Sequence, residues 1–360
     1  MRFSDYNGTK NKVTLIGTML FIHAVLIYII IYMMVSRSGT QCQDVFQRPF
    51  EQHQIRLRPK RPNFPLEQLE SNDATKLVNF TEFQYINNNE IICANSEVFL
   101  LILISSAPGN KPKRDSIRKT WGDRGPDVKL LFMLGYSENK ATEMEIEIES
   151  HIYMDIVQGN FIDSYKNLTY KSVMSLKYVV YHCPQTTYVL KVDDDSFVNT
   201  PLLMNFLKHD LSPYGAENLF LCNDMTGSPA IREPNSKWYM PVEDFPDDCY
   251  PSYCSGWYAI FSPDIAFKLY KASQKLKYIY IDDAFVYGIA AQKANVTHVD
   301  LSYYTLAYRN EELLFNGTYD NIPLLFGYPN MGPEQIERVH GYFKNRPVEK
   351  SIHKLLGQGG

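Results

Sequence analysis

The chain has 360 residues, of which 45% are hydrophobic, so it is long and apolar enough for one large domain or two ordinary ones. Its formal net charge is -4 and its pI is near 6.1, so it has no general basic surface. Nucleic-acid binding requires such a surface, and we therefore exclude nucleic acid as a partner.

The first predicted element is a membrane helix. Residues 13–35 contain no Asp, Glu, Lys or Arg, and at about 1.5 Å per residue they would span roughly 34 Å, enough for a bilayer core. The alternative, a cleaved signal peptide, has a shorter apolar region and a small-residue cleavage site. The basic residues within 1–12 favour a cytoplasmic tail there and a lumenal body, which is the type II orientation.

Asn-x-Ser/Thr sequons are candidate glycosylation sites and fit a lumenal body. They lie at Asn79, Asn167, Asn295 and Asn316. A further sequon at Asn7 would be cytoplasmic, so the pattern supports the orientation only weakly.

The six cysteines contain no CxxC pair and no His/Cys cluster with zinc spacing. In a lumenal body some of them are expected to form disulfides, with buried free thiols as the alternative. Cys249 and Cys254 are close enough in sequence to close a short loop.

Residues 36–95 are rich in Gln, Asn, Pro and Arg and show no sustained apolar periodicity, which is typical of a stem. The pattern changes at Val98–Ile104, a continuous apolar run that predicts a strand buried on both faces. We therefore place the main folded domain at residues 96–345, followed by a tail at 346–360.

Further apolar runs at residues 129–134, 152–157 and 188–192 alternate with stretches able to form helices. This alternation predicts βαβ units and a doubly wound α/β sheet. Residues 144–149 alternate like a strand, but the helical spacing of Ala141, Met144, Ile148 and Ile152 favours a helix.

The triplet Asp193-Asp194-Asp195 directly follows the apolar run 188–192, at the strand end where open α/β folds bind ligands. If the strand continues, Asp193 and Asp195 point to the same side and repel each other unless a hard cation lies between them. A metal with few protein ligands retains sites for phosphate oxygens, which suits a nucleotide diphosphate. The alternative is a solvated acidic turn, but the apolar residues that follow favour an embedded one.

A second acidic pair, Asp282-Asp283, is framed by apolar residues on both sides. One of these acids is a candidate general base, and a helix N-cap is the alternative.

One stripe of a predicted helix could contact the phosphate and the nucleobase of a nucleotide; it contains Arg114, Arg118 and Trp121. An ordinary surface Arg pair with a core Trp is the alternative.

Farther along, residues 250–258 combine aromatic rings, on which a sugar could stack, with Gly256, which allows close backbone approach. Gly256 and Trp257 are the favoured candidates there, although core packing also explains aromatic residues.

Taken together and in their order along the chain, these motifs resemble those of the β-1,3-galactosyltransferase family. This family includes β-1,3-N-acetylhexosaminyltransferases and is classified as glycosyltransferase family 31. The resemblance covers roughly residues 99–292. The matching motifs are Arg114–Gly122, Phe161–Thr169, Lys191–Asn199, Lys237–Tyr239, Tyr250–Gly256 and Asp282–Val286.

The resemblance implies a GT-A fold, a Rossmann-like nucleotide-binding sheet joined to an acceptor-binding part. It further implies a manganese ion on Asp193 and Asp195, with Asp283 as the base of a single inverting displacement. The residues implied on the donor side are Arg114, Arg118, Trp121, Asp194 and Lys191, and those on the acceptor side are Gly256, Trp257 and Asp282.

The activity implied is transfer of galactose or an N-acetylhexosamine from a UDP-sugar, in β-1,3 linkage, to a glycan on protein or lipid in the Golgi membrane. The family usually has Glu-Asp-Val where this chain has Asp282-Asp283-Ala284, and the segment after about residue 301 matches no motif. A catalytically silent chaperone or glycan-binding protein is the alternative. Donor, acceptor and oligomeric state are left open.

Overall fold

The computed structural model describes residues 56–57, 64–94, 98–122, 125–306, 311–319 and 322–346. The predicted cytoplasmic tail, the anchor at 13–35 and the tail after residue 346 lie outside these residues. Within the described ranges, no helix is both long and apolar enough to cross a membrane.

An eight-stranded mixed sheet forms the centre of the protein, in the order β10-β8-β9-β6-β3-β4-β5-β2, and β1 pairs separately with β7. The strands are β1 (Arg56–Leu57), β2 (Tyr85–Asn87), β3 (Leu100–Ser105), β4 (Val128–Tyr136), β5 (Ile156–Ile162), β6 (Tyr188–Asp193), β7 (Ala216–Glu217), β8 (Phe220–Met225), β9 (Tyr253–Phe261) and β10 (Val299–Asp300). The four strands β5, β4, β3 and β6 are mutually parallel, and β9 joins β6 antiparallel.

Helices connect the parallel strands and cover both faces of the sheet. They are α1 (Ile91–Ala94), α2 (Lys111–Lys119), α3 (Lys140–Tyr153), α4 (Leu168–His182), α5 (Thr200–Asn205), α6 (Pro263–Ser273), α7 (Ala291–Lys293), α8 (Glu311–Phe315) and α9 (Pro333–Lys344), with π-helical turns at Phe206–Leu211 and Ala284–Ala290. The units β3-α2-β4, β4-α3-β5 and β5-α4-β6 confirm the predicted alternation.

Alternate side chains of β3 enter two apolar clusters on opposite faces of the sheet, as the period of a strand requires. Leu101 and Leu103 pack in one cluster, and Ile102 and Ile104 pack in the other with Ile117 of α2. Because both faces are covered, the strand is apolar throughout, which is the pattern seen in the sequence.

The strand order reverses between β3 and β6, so the carboxyl ends of these two strands form a topological switch point. Ser105 at the end of β3 lies opposite Asp193 at the end of β6. Open α/β sheets bind ligands at such a point because the loops leaving it diverge to opposite faces. The acidic triplet is therefore located where the fold provides a ligand crevice.

Helix α3 is present as predicted, but its apolar stripe faces outward. Met144, Ile148 and Ile152 are exposed, whereas Ile146 and Glu149 are buried. Glu149 forms ion pairs with Arg114 and Arg118 of α2. Burial of these ion pairs turns the Glu149 side of α3 inward, whereas the apolar spacing predicted that the apolar stripe would face inward.

Residues 64–94 belong to the folded body and not to the predicted stem. Phe64, Leu77 and Phe83 are buried in the core, and β2 pairs antiparallel with β5. Their apolar residues are irregularly spaced and joined by short 3₁₀ turns at Leu66–Gln68 and Asp73–Thr75, so they give no periodic signal.

Disulfides join Cys93 to Cys183 and Cys222 to Cys254. The disulfide between Cys249 and Cys254 considered from the sequence is therefore not formed, because Cys254 pairs with Cys222. No cysteine in the described ranges is free, so the disulfide alternative holds there.

Candidate active site

The acidic turn, Asp193–Asp195, is built around the buried side chain of Asp194. One of its oxygens accepts hydrogen bonds from Ser106 Oγ and Asn110 Nδ2, both at 2.8 Å. The other accepts from Lys113 Nζ at 3.1 Å. Asp194 thus fastens the turn to the loop after β3 and the start of α2, and the geometry favours this positioning role over the predicted donor contact.

The two outer acids are more open. The side chains of Asp193 and Asp195 are 35% and 22% exposed, against 7% for Asp194. Partial burial raises the pKa of Asp193 to about 6, and the charge of Asp195 adds to this rise while Lys191 opposes it. Two neighbouring carboxylates that repel each other at a ligand crevice fit a hard divalent cation.

A second cluster of potential ligands consists of Cys222, Cys254 and His298. Because the two sulfurs form a disulfide, no thiolate is available there. Among the described residues, the acidic turn is therefore the better candidate for a metal centre.

Arg114 is completely buried and directs all its N–H groups to protein acceptors. Its Nε and one Nη each donate to Glu149 at 2.8 Å. The remaining donors reach Ser106 Oγ and the carbonyls of Ala107 and Pro108. This arrangement fixes the loop after β3, so Arg114 positions the crevice wall and has no donor left for a ligand.

Arg118 is similarly committed. It forms a bidentate pair with Asp155 at 2.8 and 2.9 Å, and it also contacts Asp115 and Glu149. Its guanidinium stacks 3.9 Å above the ring of Tyr153. In this structure Arg118 belongs to a network that joins α2 to α3, and its phosphate contact stays a prediction.

Trp121 is buried, and its indole Nε1 has no hydrogen-bond partner in the described part of the chain. Its ring lines a cavity of about 540 Å³ together with residues 197–202 and residues of the C-terminal segment. The three acids do not line this cavity, so Trp121 packs beside the candidate crevice rather than in it.

Asp283 caps the π-helical turn Ala284–Ala290. Its Oδ1 accepts from the N–H of Ala284 at 2.8 Å, and its Oδ2 accepts from the N–H of Gly256 at 3.3 Å. Burial, followed by the charge of Asp282, raises the pKa of Asp283 to about 7. The N-cap alternative is therefore correct, and it coexists with a carboxylate whose pKa suits proton transfer near neutrality.

Lys191 connects the two acidic clusters. Its buried Nζ donates to Asp193 Oδ1 at 2.6 Å and to the carbonyl of Gly256. Gly256 in turn donates its N–H to Asp283, and a Cβ added at Gly256 would lie 3.2 Å from the Cβ of Asp283. The glycine thus allows β9 to approach the acid, and Lys191 and Gly256 together link the acidic turn to Asp283.

The aromatic residues near Asp283 differ from those predicted. Trp257 is only 9% exposed and packs edge-on against Tyr258 and Phe326, so it is a core residue. Tyr165 is 42% exposed, and partial burial, followed by the charges of Asp282 and Asp283, raises the pKa of its hydroxyl. Tyr165 lies in the matched motif Phe161–Thr169 but is not among the site residues predicted from the sequence, although it is more exposed than Trp257.

The carboxylate of Asp282 is held by a hydrogen bond: the hydroxyl of Ser172 donates to its Oδ2 at 2.5 Å. It lies beside Asp283, and its negative charge, after that of Asp193, favours the charged form of the nearby Lys191. The acceptor role implied for Asp282 stays a prediction.

Of the four sequons predicted to be glycosylated, three are exposed: Asn79, Asn295 and Asn316. Asn167 is half-buried, and its Nδ2 donates to the carbonyl of Ile162. The exposed three are therefore the better glycosylation candidates.

Comparison with known proteins gives a family for this chain. The galactosyltransferase family model matches residues 112–302. The chain is 39% identical over 228 residues to mouse beta-1,3-galactosyltransferase 2, covering 61% of this chain and 53% of that protein. It is 35% identical over 226 residues to the lactosylceramide 1,3-N-acetyl-beta-D-glucosaminyltransferase of Xenopus tropicalis, covering 59% of each.

The chain thus spans a little over half the length of these curated relatives. Among solved structures, the glycosyltransferase GlyE of Streptococcus pneumoniae TIGR4 aligns with 70% of this chain and 62% of its own, at 12% identity and a TM-score of 0.37. At that level of similarity the GT-A fold stays a prediction. The family match spans the acidic turn, Gly256 and Asp283, and the chain belongs to the galactosyltransferase family.

Proposed function

We propose that this chain is a metal-dependent, inverting β-1,3-glycosyltransferase. It would move galactose or an N-acetylhexosamine from a UDP-sugar to a hydroxyl of a glycan on protein or lipid. The observation that carries this proposal is the Lys191 bridge, which joins the acidic turn to the strand that contacts Asp283. A charge-binding site and a proton acceptor at one crevice are what sugar transfer from a nucleotide requires.

On the donor side, Asp193 and Asp195 would hold the divalent cation, which we take to be manganese. When bound, the cation supplies charge neutralisation for the diphosphate of the departing UDP. Lys191 and Lys113 limit the repulsion between the acids, and Asp194 keeps the turn attached to β3 and α2. This fixed arrangement spares the protein the cost of reorganising during the reaction.

On the acceptor side, Asp283 would remove the proton from the attacking hydroxyl. As that proton passes to the carboxylate, the hydroxyl oxygen forms a bond to the anomeric carbon and the bond to UDP breaks. Attack from the face opposite UDP inverts the anomeric configuration, and no covalent sugar–enzyme intermediate forms. Tyr165 offers an exposed ring beside this carboxylate on which the acceptor could stack.

The test is UDP release by the full-length chain in detergent, with a panel of UDP-sugars and simple glycosides, in manganese or in chelator. Acceptor-dependent release that chelator abolishes is expected with one donor. Folded protein that binds UDP but releases none with any pair would support the silent chaperone or glycan-binding alternative.

We further propose that residues 13–35 anchor the protein in the Golgi membrane with the body in the lumen. Glycan occupancy at Asn79, Asn295 or Asn316 would support this orientation. Complete absence of glycans from cell-derived protein, together with protease sensitivity of the body in sealed vesicles, would contradict it.

A further inference from the structure

A C-terminal segment lying beyond the family match contacts the acidic turn directly. We name residues 322–346 the C-terminal brace; the family match ends at residue 302. We propose that the brace is a positioning element for the metal site, acting through Gly327 and Met331. This inference rests on the proposed function, because it assigns the brace the task of fixing Asp195 for cation binding.

The brace contacts the main chain of the acidic turn and of the residues that follow it. The N–H of Met331 donates to the carbonyl of Asp195 at 2.8 Å, and the N–H of Gly327 donates to the carbonyl of Phe197 at the same distance. These bonds fix the peptide groups on the C-terminal side of Asp195, and the backbone there sets the direction of its Cα–Cβ bond.

A short ladder continues this contact. The N–H of Asn199 donates to the carbonyl of Leu325 at 2.9 Å, and Val198 and Phe326 form an antiparallel bridge. The Asn199 side chain adds a bond from Nδ2 to the carbonyl of Leu324. The exit from the acidic turn is thus paired along its length, as a strand would be.

Close approach at Gly327 depends on the absence of a side chain. A Cβ at this position would lie 2.9 Å from the Cβ of Phe197 and 3.3 Å from its backbone nitrogen. Backbone atoms cannot yield as a flexible side chain does. An alanine here would therefore push the brace and the chain after Asp195 apart.

The brace is itself fixed to the protein core, so it can hold the turn. The ring of Phe326 stacks on Tyr258 of β9 with centroids 3.9 Å apart. Helix α9 packs against α2, where Ser116 Oγ donates to the carbonyl of Pro333 at 3.2 Å. Asp193 is held by β6 and Lys191, and Asp195 by the brace, so the separation of the two acids is set from both sides.

The experiment compares Gly327→Ala with Gly341→Ala in the full-length chain. Gly341 lies in α9 of the same brace, and a Cβ there would meet no atom within 4 Å. The readout is the manganese concentration that gives half-maximal UDP binding. We expect Gly327→Ala to raise it by about 10-fold or more, the range seen when groups that orient metal ligands are altered, and Gly341→Ala to change it by less than about 2-fold.

A second readout is amide hydrogen exchange of residues 193–199 without metal, which should be faster in Gly327→Ala than in the control. An unchanged manganese requirement and unchanged exchange in folded Gly327→Ala would overturn the inference. If this variant does not fold, Phe343→Ala replaces it under the same criteria, since Phe343 stacks on Phe197 at 5.4 Å.

Failure of the proposed function gives a different result. If the unaltered chain shows no manganese-dependent UDP binding, the metal assignment is wrong. Exchange at residues 193–199 then still decides whether the brace fixes the turn.

Discussion

The two acidic clusters of this protein differ in how their charge is balanced. In the acidic turn, Asp193 pairs with Lys191, and Lys113 lies within 3.5 Å of both Asp194 and Asp195. Asp282 and Asp283 have no ion pair within the described residues; a serine hydroxyl and two backbone N–H groups donate to them. Lysines thus offset the repulsion within the acidic turn, whereas the second cluster holds the carboxylate with the higher pKa, about 7 for Asp283 against about 6 for Asp193.

This difference assigns chemical roles that two runs of aspartates could not. The two partly exposed carboxylates of the acidic turn, Asp193 and Asp195, are open to a shared cation. The carboxylate of Asp283, which has no ion pair in the described part of the chain and a pKa raised to about 7, suits proton transfer.

The largest effect is expected for Asp283→Asn. The amide cannot accept the acceptor proton, so sugar transfer should fall by about 10²–10⁴-fold, the contribution typical of a general base. Manganese-dependent UDP binding should remain, because the acidic turn is unaltered. Steady-state UDP release and equilibrium UDP titration measure the two effects separately. Transfer at the unaltered rate would remove Asp283 from the base role.

A matched pair within the acidic turn separates structure from metal binding. Asp194→Asn replaces a buried acceptor of three side-chain donors and should lower the free energy of unfolding by about 1–3 kcal/mol. Asp195→Asn should leave stability nearly unchanged, because its side chain has only a 3.5 Å contact with Lys113, but should weaken manganese-dependent UDP binding. Denaturant unfolding and manganese titration give both values. If the two losses were exchanged between the variants, Asp194 would be the metal ligand and Asp195 the structural residue.

Much of this architecture could be predicted from the sequence, since continuous apolar strands and their alternation with helices report burial directly. The roles of individual charged residues could not. Arg114 and Arg118 have the spacing of a binding stripe, but their shared partner Glu149 comes from a distant position that spacing does not reveal. The brace gave no motif because it acts mainly through backbone groups, which any sequence can supply.

The pH profile of transfer sharpens the contrast between the clusters. Because Asp283 has a pKa raised to about 7 from an ordinary value of 3.8, its base form is lost as the pH falls below 7. kcat/KM should therefore decrease about 10-fold per unit on the acid side, with UDP binding at saturating manganese unaffected until lower pH. A bound cation near Asp283 would lower its pKa and so shift the acid side of the profile towards lower pH, never higher. A profile flat from pH 5 to 8 would exclude a base with this pKa.

The smallest effect is expected at Gly256, where the two clusters meet. An added Cβ would contact the Cβ and Oδ2 of Asp283 at 3.2 and 3.5 Å, a crowding that a shift of a few tenths of an ångström relieves. Gly256→Ala should therefore lower kcat several-fold by displacing the base, while leaving the manganese requirement close to that of the unaltered chain. Gly109→Ala, where an added Cβ meets no atom within 4 Å, is the control. The opposite result, a raised manganese requirement with an unchanged kcat, would mean that Gly256 acts on Asp193 through Lys191 more than on Asp283. The assignment of metal binding to one cluster and proton transfer to the other would then fail at this residue.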